Sequence, residues 1–201
     1  MWRILRADAV AVLNDKKARS SLPRYFAVMQ DEKPAKFLIA KKLTADFDED
    51  DSLQKLWNAH EQLTEEFYRL QQEIDSSKRN LDYLEKPEKS YFDLKIAIAS
   101  RILEHCHFCT RRCEVNRFRG DLGYCKCSSQ VLVSSMFEHM GEEPELVPSG
   151  TIFTLGCTMR CRHCQNWTIS QWFESGETFS PERLALAVEQ LRKNGCRNAN
   201  L

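Results

Sequence analysis

The sequence has no excess charge of either sign: 29 Lys and Arg residues are matched by 29 Asp and Glu. A protein that coats nucleic acid or a membrane along its whole length needs one-sided charge, so neither role is expected. No apolar run reaches the length of a membrane-spanning helix. The opening stretch, MWRILRADAVAVLNDKK, lacks the long apolar core and small-residue cleavage site of a signal peptide. The expectation is a cytoplasmic protein of one or two domains with a sizeable core. In that compartment its 9 cysteines read as metal or redox ligands rather than structural disulfides.

Residues 1–50 are the least legible part. Short apolar runs at Tyr25 to Met29 and Phe37 to Ala40 alternate with charge, and DFDEDD at Asp46 to Asp51 reads as a solvated linker or helix-starting segment. Residues 51–105 read as a helical hairpin. From Ser52 to about Leu84, apolar residues fall on two rows seven apart: Leu53, Phe67, Ile74, Leu81 and Leu56, Leu63, Leu70, Leu84. Rows offset by three make a heptad seam. Such a seam either dimerises as a coiled coil or packs on a neighbour in its own chain. His60 interrupts the seam and has no ligand partner nearby in sequence, so it reads as a seam or solvent histidine. Pro87 breaks the pattern. Ser90 with Asp93 starts a second helix in capping-box fashion, with Phe92, Ile96, Ala99 and Leu103 as its expected inner stripe.

Residues 106–150 form a cysteine-rich segment and connector. Val131 to Met136 suits a short strand or helix, and GEEPELVPSG, with its prolines and glycines, a connector. Residues 151–201 read as strand, loop, helix, strand. Thr151 to Leu155 suits a buried strand, and Gly156 permits a tight turn after it. Ser180 and Pro181 start a helix with Leu184, Ala187, Val188 and Leu191 on its inner face; Gly195 closes it. Cys196, alone on the next strand, reads as a small buried hydrophobe.

Two cysteine constellations carry chemistry. Cys157, Cys161 and Cys164 form Cys-x3-Cys-x2-Cys directly after the strand and Gly156. Three thiolates can hold three irons of a four-iron cluster, whereas an electron-transfer cluster takes four cysteines. A three-ligand site therefore leaves one position open, as in catalytic zinc sites. Upstream, Cys106, Cys109 and Cys113 are followed by Cys125 and Cys127 beyond a turn containing Gly120 and Gly123. Four of these five can enclose one metal: zinc held by four thiolates, or a second iron–sulfur cluster relaying electrons. His105 and His107 flank the segment and read as loop histidines that could replace a cysteine. Arg111, Arg112, Arg117 and Arg119 read as charge compensation near thiolates or as a solvated face. With only Phe118 and Tyr124 interleaved, nucleic-acid stacking is not expected.

The stretch GTIFTLGCTMRCRHCQNWTISQ resembles the radical S-adenosylmethionine (radical SAM) enzymes, and within them the pyruvate formate-lyase activating enzyme branch. CHFCTRRCEVNRFRGDLGYCKC and MFEHMGEEPELVPSGTIF resemble the branch members that carry an upstream cysteine cluster. The resemblance spans roughly Ser90 to Leu201. It implies an α/β fold: the N-terminal portion of a partial (β/α) barrel, preceded by the helical hairpin and the Cys-rich metal-binding segment. It implies a [4Fe-4S] cluster on Cys157, Cys161 and Cys164, with S-adenosyl-L-methionine on the fourth iron. Reductive cleavage of that cofactor to a 5′-deoxyadenosyl radical follows. A flavodoxin or ferredoxin would act as reductant and a glycyl radical protein as substrate. His163 stands where such proteins often have an aromatic residue, and with Asn166 is a candidate cofactor contact. Gln165 and Trp167 complete that run, Trp167 as a packing residue of the loop; Arg160 and Arg162 would moderate the cluster's charge. In the branch a glycine-rich segment follows the second strand. The sequence stops before one, so a truncated member that needs the missing barrel half is expected. The rival expectation is a non-catalytic zinc or iron–sulfur module for interaction or electron transfer, with the heptad helix recruiting a partner or forming an oligomer.

Overall fold

The computed structural model describes residues 2–201. Five short helices open the chain: α1 (Trp2–Leu5), α2 (Ala7–Ala11), α3 (Lys16–Ser21), α4 (Pro23–Met29) and α5 (Lys36–Ala40). The longest helix, α6 (Leu53–Asp75), follows. Ser52 caps it, accepting from the Lys55 amide at 3.3 Å, as N-terminal helix amides require. Its heptad residues Leu56, Phe67 and Leu70 are buried against α7 (Tyr91–Glu104) and α5. The seam thus packs within its own chain.

The helix ends about two turns earlier than the heptad pattern predicts. Ser77 turns left-handed at φ +59°, and the Arg24 side chain of α4 pairs with Asp75 at 2.9 Å. Leu81 and Leu84 leave the helix and pack on the same core from a short 3-10 turn, Leu81–Tyr83. Lone 3.6-residue periodicity cannot register a stop made by a contact fifty residues away in sequence.

Ser90 starts α7 as predicted. Its hydroxyl and backbone amide both reach the Asp93 carboxylate, at 2.6 and 2.8 Å. These bonds, the hydroxyl's first, hold the Asp93 carboxyl below the usual carboxylate range. Replacing Ser90 by alanine should cost about 1 kcal/mol of stability, read as a lowered urea midpoint with an unchanged slope. The inner stripe of α7 differs from the expected one. Tyr91, Leu94, Ile98 and Ile102 are buried, whereas Ile96 is 51% exposed. Tyr91 sets this rotation: its ring packs on Phe67 and His60, and its hydroxyl lies 2.9 Å from Thr64 Oγ1 and 3.2 Å from His60 Nε2.

His60 is therefore a half-buried partner in the hairpin. Burial, then repulsion from Lys95, pushes its pKa down from 6.5. The unfolded chain takes up the proton first as pH falls. His60's contribution to stability is thus present above about pH 6.5 and lost below it. Urea midpoints measured between pH 8 and pH 5 should fall on the acid side, and His60→Gln should flatten that part of the profile.

The second half forms one four-stranded sheet in the order β3-β1-β2-β4. Its strands are β1 (Val131–His139), β2 (Ser149–Thr154), β3 (Glu177–Phe179) and β4 (Asn198–Asn200). β1 runs antiparallel to β2 and β3, while β2 and β4 are parallel. The crossover from β2 to β4 carries the cysteine loop, α8 (Trp167–Ser170), β3 and α9 (Pro181–Lys193). Ser180 caps α9, Pro181 takes its first position and Gly195 follows its end at φ +93°. Ala187 and Leu191 bury against Val133, Ile152 and Cys196, so Cys196 is the small core residue expected. Val188, expected on the inner face, is instead 36% exposed. Among the described residues no helix is long and apolar enough to cross a membrane.

The opening helices join the two halves. Tyr25 donates to the Glu145 carbonyl at 3.1 Å, and Arg197, just before β4, donates to the Ala9 carbonyl at 2.6 Å. Ile39, Ala40, Ala45 and Phe47 complete the hairpin's core. Within the Asp46 to Asp51 stretch only Phe47 is buried in that core; Asp46, Asp48, Glu49 and Asp50 are exposed and lead into α6.

Candidate metal centre

β2 delivers the chain to Gly156, which sits at φ +90°. A Cβ here would fall 2.3 Å from Cys127 Sγ, 2.7 Å from the Cys125 carbonyl oxygen and 3.2 Å from Trp172 Nε1. Only glycine meets both demands, the left-handed backbone and the close approach. The upstream cysteine segment therefore lies directly against the start of the triplet loop, a contact between segments about thirty residues apart that local pattern does not reveal.

The triplet thiols all lie on one loop, all half-buried and none in a disulfide. Cys157 Sγ accepts from the Met159 amide at 3.4 Å; Cys164 Sγ lies 3.7 Å from the hydroxyl of buried Ser170 on α8. Arg160 turns left-handed at φ +54°. Among the described residues, no three His, Cys, Asp or Glu side chains converge as a formed metal site. The fit of an iron–sulfur cluster thus rests on donor chemistry. Three free, solvent-reachable thiols on one loop suit iron.

Arg111 and Arg160 tie the two cysteine segments together. Both guanidiniums lie over the Tyr124 ring, at 3.9 and 4.0 Å from its centroid. Arg111 reaches the Thr158 carbonyl at 3.4 Å, and Arg160 the Tyr124 carbonyl at 2.6 Å. Trp172 adds a bond from Nε1 to the Cys125 carbonyl at 2.8 Å. Two cations thus stand beside the triplet loop.

Within the upstream segment, Cys106 is buried and Cys109, Cys113, Cys125 and Cys127 are half-buried. The basic run divides between the two expectations: Arg117 is only 6% exposed and sits within the cysteine segment, while Arg111, Arg112 and Arg119 are exposed. Its guanidinium stands beside the Cys106 and Cys125 thiols and donates to the Cys127 carbonyl. Burial opposes its charge, but those thiols offset this and raise its pKa. Burial, followed by repulsion from Cys125, pushes the Cys127 thiol up to about 12. His105 is exposed, and His107 Nδ1 lies 2.7 Å from the His105 carbonyl.

His163 and Asn166 are both exposed. Asn166 and Gln165 line a cavity of about 420 Å³ with His139, Glu142, Asn200 and Thr151 to Thr154 of β2. Thr151 Oγ1 is buried there without a hydrogen-bond partner. His163 lies outside the cavity lining. Trp167 packs edge-on against Phe173 at 5.0 Å.

Uncharacterized protein MJ0674 of Methanocaldococcus jannaschii is 40% identical over 150 residues, covering 75% of this chain and 42% of that protein. Uncharacterized protein MJ0808 of the same organism is 30% identical over 83 residues, covering 33% of this chain and 24% of that protein. The chain thus spans less than half the length of either relative. No family model and no solved structure matches it.

Proposed function

We propose that the chain carries the cluster-binding part of a radical SAM protein of the pyruvate formate-lyase activating type. The observation that carries this reading is the triplet itself: three unpaired thiols on one loop, at the carboxyl end of a strand with a parallel neighbour. That end of a parallel pair is where α/β folds place their sites. Cys157, Cys161 and Cys164 would hold a [4Fe-4S] cluster, whose chemistry when bound is one-electron reduction of the S-adenosylmethionine sulfonium. Gly156 sets the loop's direction. Arg111 and Arg160 hold it against Tyr124 and offset thiolate charge. Asn166 and the unpartnered Thr151 hydroxyl offer polar contacts to the cofactor from the neighbouring cavity. A flavodoxin-like or ferredoxin-like reductant and a glycyl radical protein substrate belong to the same reading, for the whole protein.

Anaerobic reconstitution with iron and sulfide tests it. Roughly four irons per chain should bind at the triplet. The electron paramagnetic resonance signal of the reduced protein should change on addition of S-adenosylmethionine. A reduced cluster whose signal ignores the cofactor would instead mark an electron carrier.

A further inference from the structure

We infer that Cys106, Cys113, Cys125 and Cys127 bind one thiophilic divalent metal ion as a tetrathiolate, with the buried Arg117 guanidinium as its outer-sphere counter-ion. The inference goes beyond the triplet and does not depend on what the triplet holds.

Arg117 is the starting point. A guanidinium out of water needs an anion beside it, yet Arg117 makes no ion pair with a carboxylate among the described residues. The groups around it come from the cysteine segment: its guanidinium donates to the Cys127 carbonyl, and Cys127 Sγ in turn bonds to the Cys125 carbonyl at 3.5 Å. Cys113 joins them. A Cβ built on Gly123 would lie 2.9 Å from both Cys113 Sγ and an Arg117 terminal nitrogen. A tetrathiolate around a divalent ion is an anion, and a buried cation is its complement.

The backbone brings the two arms that bear these cysteines together. Paired bonds between Cys106 and the Glu114–Val115 stretch, at 3.0 and 3.1 Å, set Cys106 next to Cys113. Asn116 then builds a turn, accepting from the Phe118 and Arg119 amides, and Gly120 at φ +85° reverses the chain toward Cys125. Arg112, Glu114 and Lys126 are left-handed without being glycine, at φ +40°, +55° and +56°. Each flanks a cysteine of the set, and such conformations persist where surrounding structure holds them. Cys109 is tied to none of this among the described residues; its carbonyl only accepts from the Arg112 amide. The structure thus separates four ligands from the fifth cysteine, which spacing alone does not. No three of these side chains converge on a common centre among the described residues, so ion binding must draw the sulfurs inward.

The test uses the full chain with Cys157→Ser, Cys161→Ser and Cys164→Ser combined, which removes the triplet as a metal source. Zinc is counted after purification, and cobalt(II) is then titrated as a spectroscopic probe of thiolate ligation. About one ion per chain should bind with thiolate-to-cobalt charge-transfer absorption. Cys125→Ser should weaken binding far more than tenfold, while Cys109→Ser should leave it within about twofold. Arg117→Met should weaken it about 10–100-fold, with Arg117→Lys recovering part of the loss. Should Arg117→Met fail to fold, the Cys109 and Cys125 comparison decides alone. No bound ion, equal losses at Cys109 and Cys125, or iron bound with inorganic sulfide would each overturn the assignment. Failure of the triplet reading is seen separately, as wild-type chain that keeps this ion but binds no triplet iron.

Discussion

Alanine at any one of Cys157, Cys161 or Cys164 should remove essentially all reconstituted triplet iron and the cofactor-dependent spectroscopic change with it. A cubane held at three corners has no spare protein ligand, so losing one thiolate leaves two, and sulfur-bridged iron needs cysteines on several sides. The effect should be all-or-none rather than graded. The fold should barely respond. The three thiols are half-buried and, among the described residues, make two long hydrogen-bond contacts, to the Met159 amide and the Ser170 hydroxyl. Substitutions away from tightly packed features usually shift stability within about 0.5 kcal/mol. Cys196→Ala is the complementary control. It removes a sulfur from the core beside Leu191 and Ile152, so it should cost stability and leave iron unchanged. If a triplet variant keeps its iron and Cys196→Ala loses it, the triplet is not the cluster site.

The second half of the chain was the more legible in sequence, and the reason is local. Ser180, Pro181 and Gly195 mark the ends of α9 by their own backbone chemistry, and the apolar run before Gly156 marks β2 without outside help. The triplet is legible because metal ligation needs given residue types at short spacing. What escaped depends on distant partners. The stop of α6 at Asp75 is fixed by Arg24 of α4, and the rotation of α7 by Tyr91 reaching across to Thr64 and His60. The place of residues 36–47 is fixed partly by the Ala45 amide bonding to the Lys89 carbonyl at 3.0 Å. Arg117 is the clearest case. In sequence it is one arginine among four; only the turn at Gly120 brings it in among sulfurs. The antiparallel flank of β1 and β3 was equally hidden, since Glu177–Phe179 is three residues long and has no periodicity to read.

Gly156→Ala should be the most damaging substitution outside the ligands themselves, at about 2–5 kcal/mol. Two costs add there. A residue with a Cβ pays roughly 1–2 kcal/mol for left-handed backbone, and forcing a methyl into occupied space costs roughly 1–3 kcal/mol more. The space is firmly occupied. The Cys125 carbonyl, 2.7 Å from the added carbon, is itself held by Trp172 Nε1. Cys127 Sγ, at 2.3 Å, has the Leu155 and Cys125 carbonyls around it at 3.5 Å. Relief therefore means parting the two cysteine segments, and the variant should lose affinity for metal at both groups as well as stability. Gly195→Ala separates the two costs. Gly195 has a similar φ of +93° but nothing within 4 Å of its added carbon, so it should show the backbone cost alone. Urea unfolding of both variants measures the difference, which is the steric contribution of the contact between segments. Equal losses at Gly156 and Gly195 would mean that the upstream cysteines do not rest on the triplet loop in solution. The coupling between the two groups would then have to be abandoned.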